Sequence, residues 1–304
     1  MQFLDMNPAF TFGLGGAALA ASLTLNWWLR ELARRHDWCD PAAEDDASLK
    51  IHAKPTPFTG GLGIAAVFVA GLALLAGRPA ASVAPLAVGA VALLALAVGT
   101  WDDFRWKTMS APLPKLALQT VAAAGSAVCL RSPLAALLVL GAMNAYNLAD
   151  GIDGLAAGEA AISAVALGLV FTGHGQRELS LVALLFAGAL AGFLLLNWHP
   201  AKLFLGDGGS HLAGATLAGL ASLAAGLRPG LSGLVGALLI LGLPVVDAGW
   251  VIGCRLAQRR PLFAGDRCHL YDIINRRLST RPTVVALWSL HAVLVLCGAA
   301  ILCR

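Results

Sequence analysis

Long apolar stretches recur along the whole chain, separated by short segments that carry most of its polar residues. A helix needs about 20 consecutive apolar residues to cross a bilayer, and these stretches have about that length. The pattern therefore predicts an all-α, polytopic membrane protein with about ten transmembrane helices. The predicted spans are 10–29, 60–77, 84–101, 115–130, 133–149, 155–173, 179–197, 208–226, 231–251 and 283–302.

The composition supports a membrane protein and indicates one domain. Of the 304 residues, 58% are hydrophobic and 12% are charged, and the mean hydropathy is +0.76. The longest polar stretch, 30–59, is too short for a soluble domain, so residues 1–304 are predicted to form a single integral-membrane domain. The start lacks the basic region of a signal peptide, which predicts that the first apolar run is a retained helix. The six cysteines form no CxxC pair and indicate neither a disulfide framework nor a zinc site.

Most of the 21 lysine and arginine residues fall on one side of the predicted membrane when the N-terminus is placed outside. They follow the first, third, seventh and ninth predicted spans. Because cytoplasmic loops are enriched in Lys and Arg, this bias predicts that both termini are periplasmic. The loops that join odd-numbered to even-numbered spans are then cytoplasmic.

Four short acidic motifs interrupt the apolar pattern, and all of them fall on the predicted cytoplasmic side. A carboxylate in hydrocarbon costs roughly 2.5–3.5 kcal/mol on insertion scales, so acids at a membrane edge indicate a functional site. The segment IHAKPTPFTGG falls on the same side. We therefore predict one active site on the cytoplasmic face. The acidic residues are Asp102, Asp103, Asp150, Asp153, Asp207, Asp266 and Asp272.

The longest motif, NAYNLADGIDGLAAG, spaces four polar side chains by three residues from Asn144 through Asn147 and Asp150 to Asp153. Its glycines predict that one helix ends near Asp150 and that the next begins at Asp153 or Gly154. Backbone N–H groups at such a helix start can bind an anion or the edge of a base. Four polar groups in so apolar a chain favour a binding role over packing.

Each of the remaining motifs has a functional interpretation and a plainer structural one. The pair Asp102-Asp103 either binds Mg²⁺, which prefers hard oxygen ligands and substrate phosphates, or forms a solvated helix end. Asp207 in LFLGDGGS either caps a helix or lies where glycines let a phosphate approach the backbone. Three cations, Lys54, Arg267 and His269, either contact phosphates or serve only as a basic turn and membrane anchors. Asp247, inside an apolar stretch, is predicted to accept structural hydrogen bonds.

Together, the carboxylates, cations and glycine turns fit metal-assisted transfer of a phosphorylated group at a membrane face. A membrane transporter of an anionic or phosphorylated solute is the main alternative. Transporters keep ionisable groups near the bilayer midplane and often contain inverted repeats. Here the acids cluster at one face and the sequence shows no internal repeat, so the pattern favours an enzyme.

The motifs resemble those of the polyprenyl-phosphate N-acetylhexosamine-1-phosphate transferases, a superfamily that includes phospho-N-acetylmuramoyl-pentapeptide transferase and enzymes that start O-antigen lipids. HAKPTPFTGG, DDFRW, NAYNLADGIDGLAAG, FLGDGGS and the PVVD and GDRCHL segments occur in order between His52 and Leu278. The resemblance implies a bacterial inner-membrane enzyme with a cytoplasmic Mg²⁺ site, Mn²⁺ being an alternative metal. Its substrates would be undecaprenyl phosphate and a UDP-N-acetyl-amino sugar, and its nucleotide product UMP. It implies no nucleic-acid partner and leaves a homodimer open.

Carried over residue by residue, the resemblance implies distinct roles for the acidic motifs. Asp207 would be the principal Mg²⁺ ligand. Asp102 and Asp103 would be catalytic, acting on the lipid phosphate or the metal, with Asp103 as a second metal ligand. His269 would also be catalytic. Lys54 and His269 would contact the donor or its diphosphate, and Asn147, Gly151 and Asp153 would lie by the uridine. Asp150 and Arg267 would also bind substrate.

Two motifs depart from the family pattern. Phe58 stands where the first motif commonly has Arg, and the last motif reads His-Leu-Tyr-Asp from His269 to Asp272 instead of HLHH. The missing histidines favour enzymes of surface polysaccharides such as O-antigen or lipopolysaccharide. Peptidoglycan lipid I synthesis is the alternative within the family, and an inactive or scaffold relative is a further one.

Overall fold

The computed structural model describes residues 8–41, 54–77, 82–105, 112–261 and 267–304. It is helical apart from two short paired strands, β1 (Cys39–Asp40) and β2 (Thr56–Pro57). Each of the ten predicted apolar stretches lies in one long helix, to within one residue. One short helix, α10, was not predicted. The helices are α1 (Pro8–Arg35), α2 (Gly60–Ala76), α3 (Val83–Arg105), α4 (Pro112–Cys129), α5 (Pro133–Ala149), α6 (Leu155–Gly173), α7 (Arg177–Asn197), α8 (Gly206–Leu227), α9 (Leu231–Ala257), α10 (Leu270–Asn275) and α11 (Thr280–Cys303).

Six of these helices are long and apolar enough to cross a membrane: α3, α6, α7, α8, α9 and α11. Shorter apolar helices occupy Gly60–Ala76, Leu113–Cys129 and Pro133–Ala149. The all-helical, polytopic architecture predicted from the sequence is therefore supported. The total of ten spans, the position of the termini and the side that carries the site stay predictions.

Helix α8 forms the centre of the bundle and packs against α3, α5 and α9, while α7 packs against α1 and α6. Nearly every side chain of α8 is buried, because its sequence is dominated by alanine, glycine and leucine. Small residues let helix backbones approach closely in lipid, where dispersion contacts replace the hydrophobic effect as the driving force. The central position of α8 places its first turn, which contains Asp207, among the ends of several other helices.

Helix α9 is broken at Gly242, whose φ of +59° is not helical, and Pro244 follows two residues later. Because proline has no N–H, the carbonyl of Ile240 lacks its usual intrahelical donor. The Ser163 hydroxyl donates to that carbonyl at 2.6 Å, and Leu243 N–H donates to Nδ1 of His291 at 3.1 Å. Side chains of α6 and α11 thus satisfy the backbone groups that the break exposes, as an apolar environment requires. The break divides α9 into two halves, and the second half carries Asp247.

The first motif supports the turn that precedes α8. Phe204 N–H donates to the carbonyl of Pro57 at 2.7 Å. In return, the N–H groups of Gly60 and Gly61 donate to the carbonyls of Phe204 and Leu205 at 3.1 and 3.0 Å. This short backbone ladder holds the FLGD turn against β2 and the start of α2. His52, at the start of the motif, lies outside the described residues, as does Asp266 of the last motif.

Candidate active site

Asp103, at the end of α3, caps the first turn of α8. Its Oδ1 accepts the N–H of Asp207 at 2.8 Å and its Oδ2 accepts the N–H of Gly208 at 2.9 Å. A helix start leaves such N–H groups without intrahelical partners, and a carboxylate there also interacts favourably with the helix dipole. Gly206 makes the preceding turn possible with a φ of +75°. The Asp103 carboxylate therefore fixes Asp207 relative to α3.

Lys115, at the start of α4, lies between two carboxylates. Its Nζ is 2.9 Å from Oδ2 of Asp102 and 2.5 Å from Oδ2 of Asp207. The same ammonium is 3.4 Å from Oδ1 of Asn147. All four side chains are partly shielded from solvent, so these charges interact more strongly than surface pairs do. One cation thus joins α3, α4, α5 and α8.

The other oxygen of Asp207 is held by α5. Nδ2 of Asn147 donates to Oδ1 of Asp207 at 2.7 Å and to the hydroxyl oxygen of Ser210 at 3.1 Å. One turn deeper, Nε2 of Gln119 lies 2.6 Å from Nε2 of His211, and both residues are buried. Gln119 follows Lys115 by four residues on α4, and His211 follows Asp207 by four residues on α8. The two helices therefore meet through two side-chain pairs that lie one turn apart.

The turn after α5 confirms the predicted helix break. Helix α5 ends at Ala149 and α6 begins at Leu155, with Gly154 in the left-handed conformation at φ +81°. The Gly154 N–H donates to Oδ1 of Asn197 at 3.0 Å, so the N–H group predicted to bind a ligand already has a partner. Burial and the nearby negative charges of Asp207 and Asp103 raise the pKa of Asp150 well above its ordinary value.

Asp153 anchors the segment that joins α7 to α8. Its Oδ2 accepts a hydrogen bond from the backbone N–H of Ala201 at 3.0 Å and lies 2.7 Å from Nδ1 of His199. The carbonyl of His199 accepts Nε of Arg281 at 2.9 Å, which ties the same segment to the start of α11. The imidazole of His199 is 42% exposed, so it is available at this end of the bundle.

The last motif is joined to the second half of α9 by a buried pair. Nδ1 of His269 is 2.7 Å from Oδ2 of Asp247, and Oδ1 of Asp247 accepts the N–H of Leu270 at 2.7 Å. Asp247 thus accepts the structural hydrogen bonds predicted for it. The Tyr271 ring stacks on His269 with centroids 4.7 Å apart, and its hydroxyl packs against Gly151. His269 is thereby placed beside the Asp150–Gly154 turn.

Lys54 and Arg267 lie less centrally than the predicted acids. Lys54 is exposed, and within the described parts of the chain its side chain makes no hydrogen bond or ion pair with the acidic residues. Arg267 is also exposed, and its carbonyl accepts Nη2 of Arg276 at 2.9 Å. The structure therefore brings together Asp102, Asp103, Asp207 and Asn147, while roles for Lys54 and Arg267 at a phosphate stay predictions.

The sequence interpretation missed Lys115, Gln119, His211 and His199 as members of this cluster. A signal for two of them was present, because Lys115 and Gln119 are spaced by four on the apolar helix α4 and so share one face. In the sequence, Lys115 contributes only to the positive charge that follows the third predicted span. His199 and His211 flank the FLGDGGS motif, but nothing in their spacing indicated which side chains they contact.

Asp102 and Asp207 provide the best candidate ligands for a divalent metal. Within the described residues, no group of three or more acidic, His or Cys side chains forms a ready metal cage. Mg²⁺ usually retains waters and combines one or two carboxylates with substrate phosphates, so two facing carboxylates fit its requirements. Both oxygens of Asp103 accept backbone N–H groups, and its predicted part in metal binding is not tested by this geometry.

Comparison with known proteins gives a family match over the part of the chain that carries most of this cluster. The family described as "Glycosyl transferase family 4" matches residues 85–225, from α3 through most of α8. The match includes Asp102, Asp103, Lys115, Asn147 and Asp207. The last motif, with His269, lies beyond it.

Individual relatives extend the similarity along the chain. Two are named phospho-N-acetylmuramoyl-pentapeptide-transferase. The one from Synechococcus sp. (strain RCC307) is 35% identical over 254 residues, which cover 70% of this chain and 68% of that protein. The one from Synechococcus sp. (strain WH7803) is 32% identical over 268 residues, covering 77% and 73%.

A relative with a different name gives a shorter match. The "Probable undecaprenyl-phosphate N-acetylglucosaminyl 1-phosphate transferase" of Bacillus subtilis (strain 168) is 33% identical over 157 residues. That match covers 51% of this chain and 44% of the Bacillus protein, so the chain spans less than half of that relative's length.

Proposed function

Since the chain belongs to glycosyl transferase family 4, within the polyprenyl-phosphate hexosamine-1-phosphate transferase superfamily, we propose that it transfers an N-acetyl-amino-sugar 1-phosphate from a UDP-sugar to undecaprenyl phosphate. UMP would be the second product. One relative's name contains undecaprenyl phosphate, and the names of both kinds of relative contain an N-acetylated sugar. The observation that carries the proposal is the Lys115 ammonium held between Asp102 and Asp207 at one end of an apolar helix bundle.

The reaction joins two anions, so charge is its central problem. An oxygen of the lipid phosphate attacks the phosphorus that bears the sugar, and the bond from that phosphorus to the oxygen of UMP breaks. A phosphate monoester is largely ionised at neutral pH because its second pKa is about 6, so the attacking oxygen needs no strong general base. The protein must instead bring the lipid phosphate and the donor diphosphate together.

Lys115 is the group best placed to reduce that repulsion. Its ammonium contacts two site carboxylates, and its flexible stem lets the ammonium move toward a phosphate oxygen. Asp102 and Asp207 would hold Mg²⁺, which neutralises charge on the donor diphosphate and the departing UMP when it is bound. Asn147 would keep Asp207 in the orientation that this requires.

We favour direct attack by the lipid phosphate over a covalent aspartyl intermediate. Both carboxylate oxygens of Asp103 accept backbone N–H groups of α8, which makes Asp103 a poor nucleophile. Asp102 remains the candidate for a covalent route. Release of one equivalent of UMP in the absence of lipid phosphate would favour the covalent route, whereas strict dependence of UMP release on the lipid would favour direct attack.

The sugar is proposed to be an N-acetylhexosamine destined for a surface polysaccharide. This rests on the last motif, where Tyr271 stacks on His269 and packs against Gly151 in place of a further histidine. Peptidoglycan lipid I synthesis is the second candidate, favoured by the names of the two Synechococcus relatives. The donor that is used separates these possibilities. UDP-N-acetylglucosamine or its 6-deoxy analogues would indicate a surface polysaccharide, and UDP-N-acetylmuramoyl-pentapeptide would indicate lipid I synthesis.

A UMP-release assay tests the proposal. Purified full-length protein would be mixed with undecaprenyl phosphate, Mg²⁺ and each UDP-sugar, and UMP and lipid product would be measured. We expect turnover with at least one donor, and a loss of at least roughly 100-fold for Asp207→Asn, as when a key electrostatic group is removed from an active site.

Glu178→Gln is the matched control for Asp207→Asn. Glu178 is a carboxylate at the opposite end of α7, where its Oε2 accepts the N–H of Ser82 at 2.9 Å, so its removal should leave turnover unchanged. No UMP from any donor, combined with solute flux across proteoliposomes, would replace the transferase by a transporter. Full turnover by Asp207→Asn would refute the assignment of the site.

A further inference from the structure

The Lys115 ammonium contacts both of the carboxylates that are proposed to hold a divalent cation. Its Nζ contacts Oδ2 of both Asp102 and Asp207, while Oδ1 of Asp207 is taken by Asn147. A metal held by Asp102 and Asp207 would compete with the ammonium for these carboxylates. Two cations cannot share them at these distances without strong repulsion.

We infer that Lys115 is a built-in competitor of the divalent metal, so that the substrate-free protein binds metal weakly and binds it well only when a diphosphate is present. The diphosphate would draw the Lys115 ammonium away from Asp102 and Asp207 and leave their oxygens to the metal. This inference rests on the proposed function, because it takes the donor diphosphate as the group that engages Lys115.

The surroundings of Lys115 allow its side chain to move while helix α4 stays in place. One turn along α4, Gln119 is held against His211 in the buried interior, and this contact fixes the position of α4 relative to α8. Lys115 itself is on the first turn of α4, with its side chain 20% exposed. The amide oxygen Oδ1 of Asn147 lies 3.4 Å from Nζ of Lys115. The ammonium can therefore swing toward an incoming phosphate about a fixed helix.

The arrangement also makes charge balance depend on Lys115. Asp103 is already paired with the positive end of α8, which leaves Asp102 and Asp207 as the carboxylates that Lys115 compensates. Without metal, the ammonium stabilises this pair. With metal alone, the positively charged ammonium and the metal ion would repel each other. With metal and diphosphate together, the phosphates supply the negative charge that accommodates both cations.

The expected consequence is positive coupling between metal and diphosphate. Because binding linkage is reciprocal, UDP must strengthen metal binding by the same factor by which metal strengthens UDP binding. Removing the Lys115 charge should strengthen metal binding to the protein alone and reduce this coupling. A residue that was merely structural would weaken metal binding when it was replaced.

Equilibrium titration with Mn²⁺ measures these quantities without turnover. Full-length protein in detergent would be titrated with Mn²⁺ and followed by electron paramagnetic resonance, with and without UDP. For the wild type we expect weak Mn²⁺ binding that tightens on addition of UDP. For Lys115→Met we expect Mn²⁺ to bind roughly tenfold or more tightly without UDP, given the strength of like-charge repulsion at a few ångströms.

Lys202→Met is the matched control, because Lys202 is an exposed lysine near the same end of the bundle. It removes the same charge and should leave the Mn²⁺ affinity close to that of the wild type. Lys115→Gln provides a second variant if Lys115→Met does not fold. Equal or weaker Mn²⁺ binding by the folded Lys115 variants would overturn the inference.

The wild-type protein gives an independent test. If it bound Mn²⁺ equally well with and without UDP, the inference would fail whatever the variants did. The UMP-release assay separates this result from a failure of the proposed function. A wild type that turns over but shows no coupling contradicts only the inference, whereas coupling without any UMP release contradicts the transferase reaction.

Discussion

Asp103 shows how one side chain can serve both the fold and the site. Its carboxylate accepts two N–H groups of α8, and α8 carries Asp207. We expect Asp103→Asn to lose one of these bonds, because an amide presents only one acceptor oxygen. The loss should cost about 1–2 kcal/mol of stability, as for other helix caps, and should also lower UMP release.

Thermal unfolding of the purified protein measures this effect, and Asp102→Asn is the comparison. Asp102 contacts Lys115 but caps no helix, so its replacement should reduce activity while changing the melting temperature less than Asp103→Asn does. Equal melting temperatures for the two variants would contradict the capping role.

Glu159 is a buried carboxyl for which the proposed reaction has no use. It is 1% exposed, and its Oε2 has no hydrogen-bond partner among the described residues. It lines a small pocket together with Asp247 and Tyr271. Because an unsatisfied buried polar group is costly, we expect Glu159→Leu to raise the melting temperature. A lower melting temperature would indicate that the carboxyl is hydrogen-bonded to a water or ligand.

At this scale the sequence predicts the acids better than their partners. Asp102, Asp150 and Asp207 stand out because carboxylates are rare in an apolar chain. The residues that Lys115 and His199 contact could not be predicted, because these contacts depend on how separate helices align, and local pattern carries no information about that alignment. Within the described residues, contacts join Asp102 and Asp103 to Asp207, while the chemical roles of the acids stay predictions.

The break in α9 is the element that most depends on long-range partners. Gly242 has a φ of +59°, and a Cβ at this position would lie 2.6 Å from Nδ1 of His291. We expect Gly242→Ala to destabilise the protein by about 1–3 kcal/mol for the backbone strain, with the steric contact adding to this. It should also displace Asp247 and His269 and so reduce turnover.

Gly249→Ala is the matched control on the same helix, since a Cβ there meets no atom within 4 Å. Thermal unfolding should show it to be neutral or slightly stabilising, because alanine favours a helix over glycine by about 1 kcal/mol. A similar melting temperature for the two variants would show that the break at Gly242 is not required.

Helix positions could be predicted from hydrophobic length alone, as the agreement for α5 and α6 shows. The short helix α10 and the strand pair β1–β2 could not, because neither has a periodic pattern long enough to detect. The break in α9 could be predicted only in part from the sequence. Pro244 was apparent in the sequence, but Ser163 and His291, which satisfy the broken backbone, come from helices far away in the chain.

For the whole molecule, the decisive prediction is that the acidic cluster faces the cytoplasm. Helix α7 has 21 residues and so spans roughly 30 Å, about the thickness of a bilayer core. This length predicts that Gln176 and Lys202, two exposed residues beyond its ends, lie on opposite sides of the membrane. Lys202 lies at the end that carries Asp207, where Lys and Arg are also concentrated. The positive-inside rule therefore predicts that Lys202 is cytoplasmic and Gln176 periplasmic.

Single cysteines can test this orientation after the native cysteines are replaced, since several of them, including Cys129 and Cys303, are exposed. A membrane-impermeant maleimide should label Gln176→Cys in intact cells and Lys202→Cys only in inverted vesicles. UDP-sugars are made in the cytoplasm, so a site on the other face would have no donor. Labelling of Lys202→Cys from outside intact cells would therefore reject the orientation and, with it, the proposed reaction.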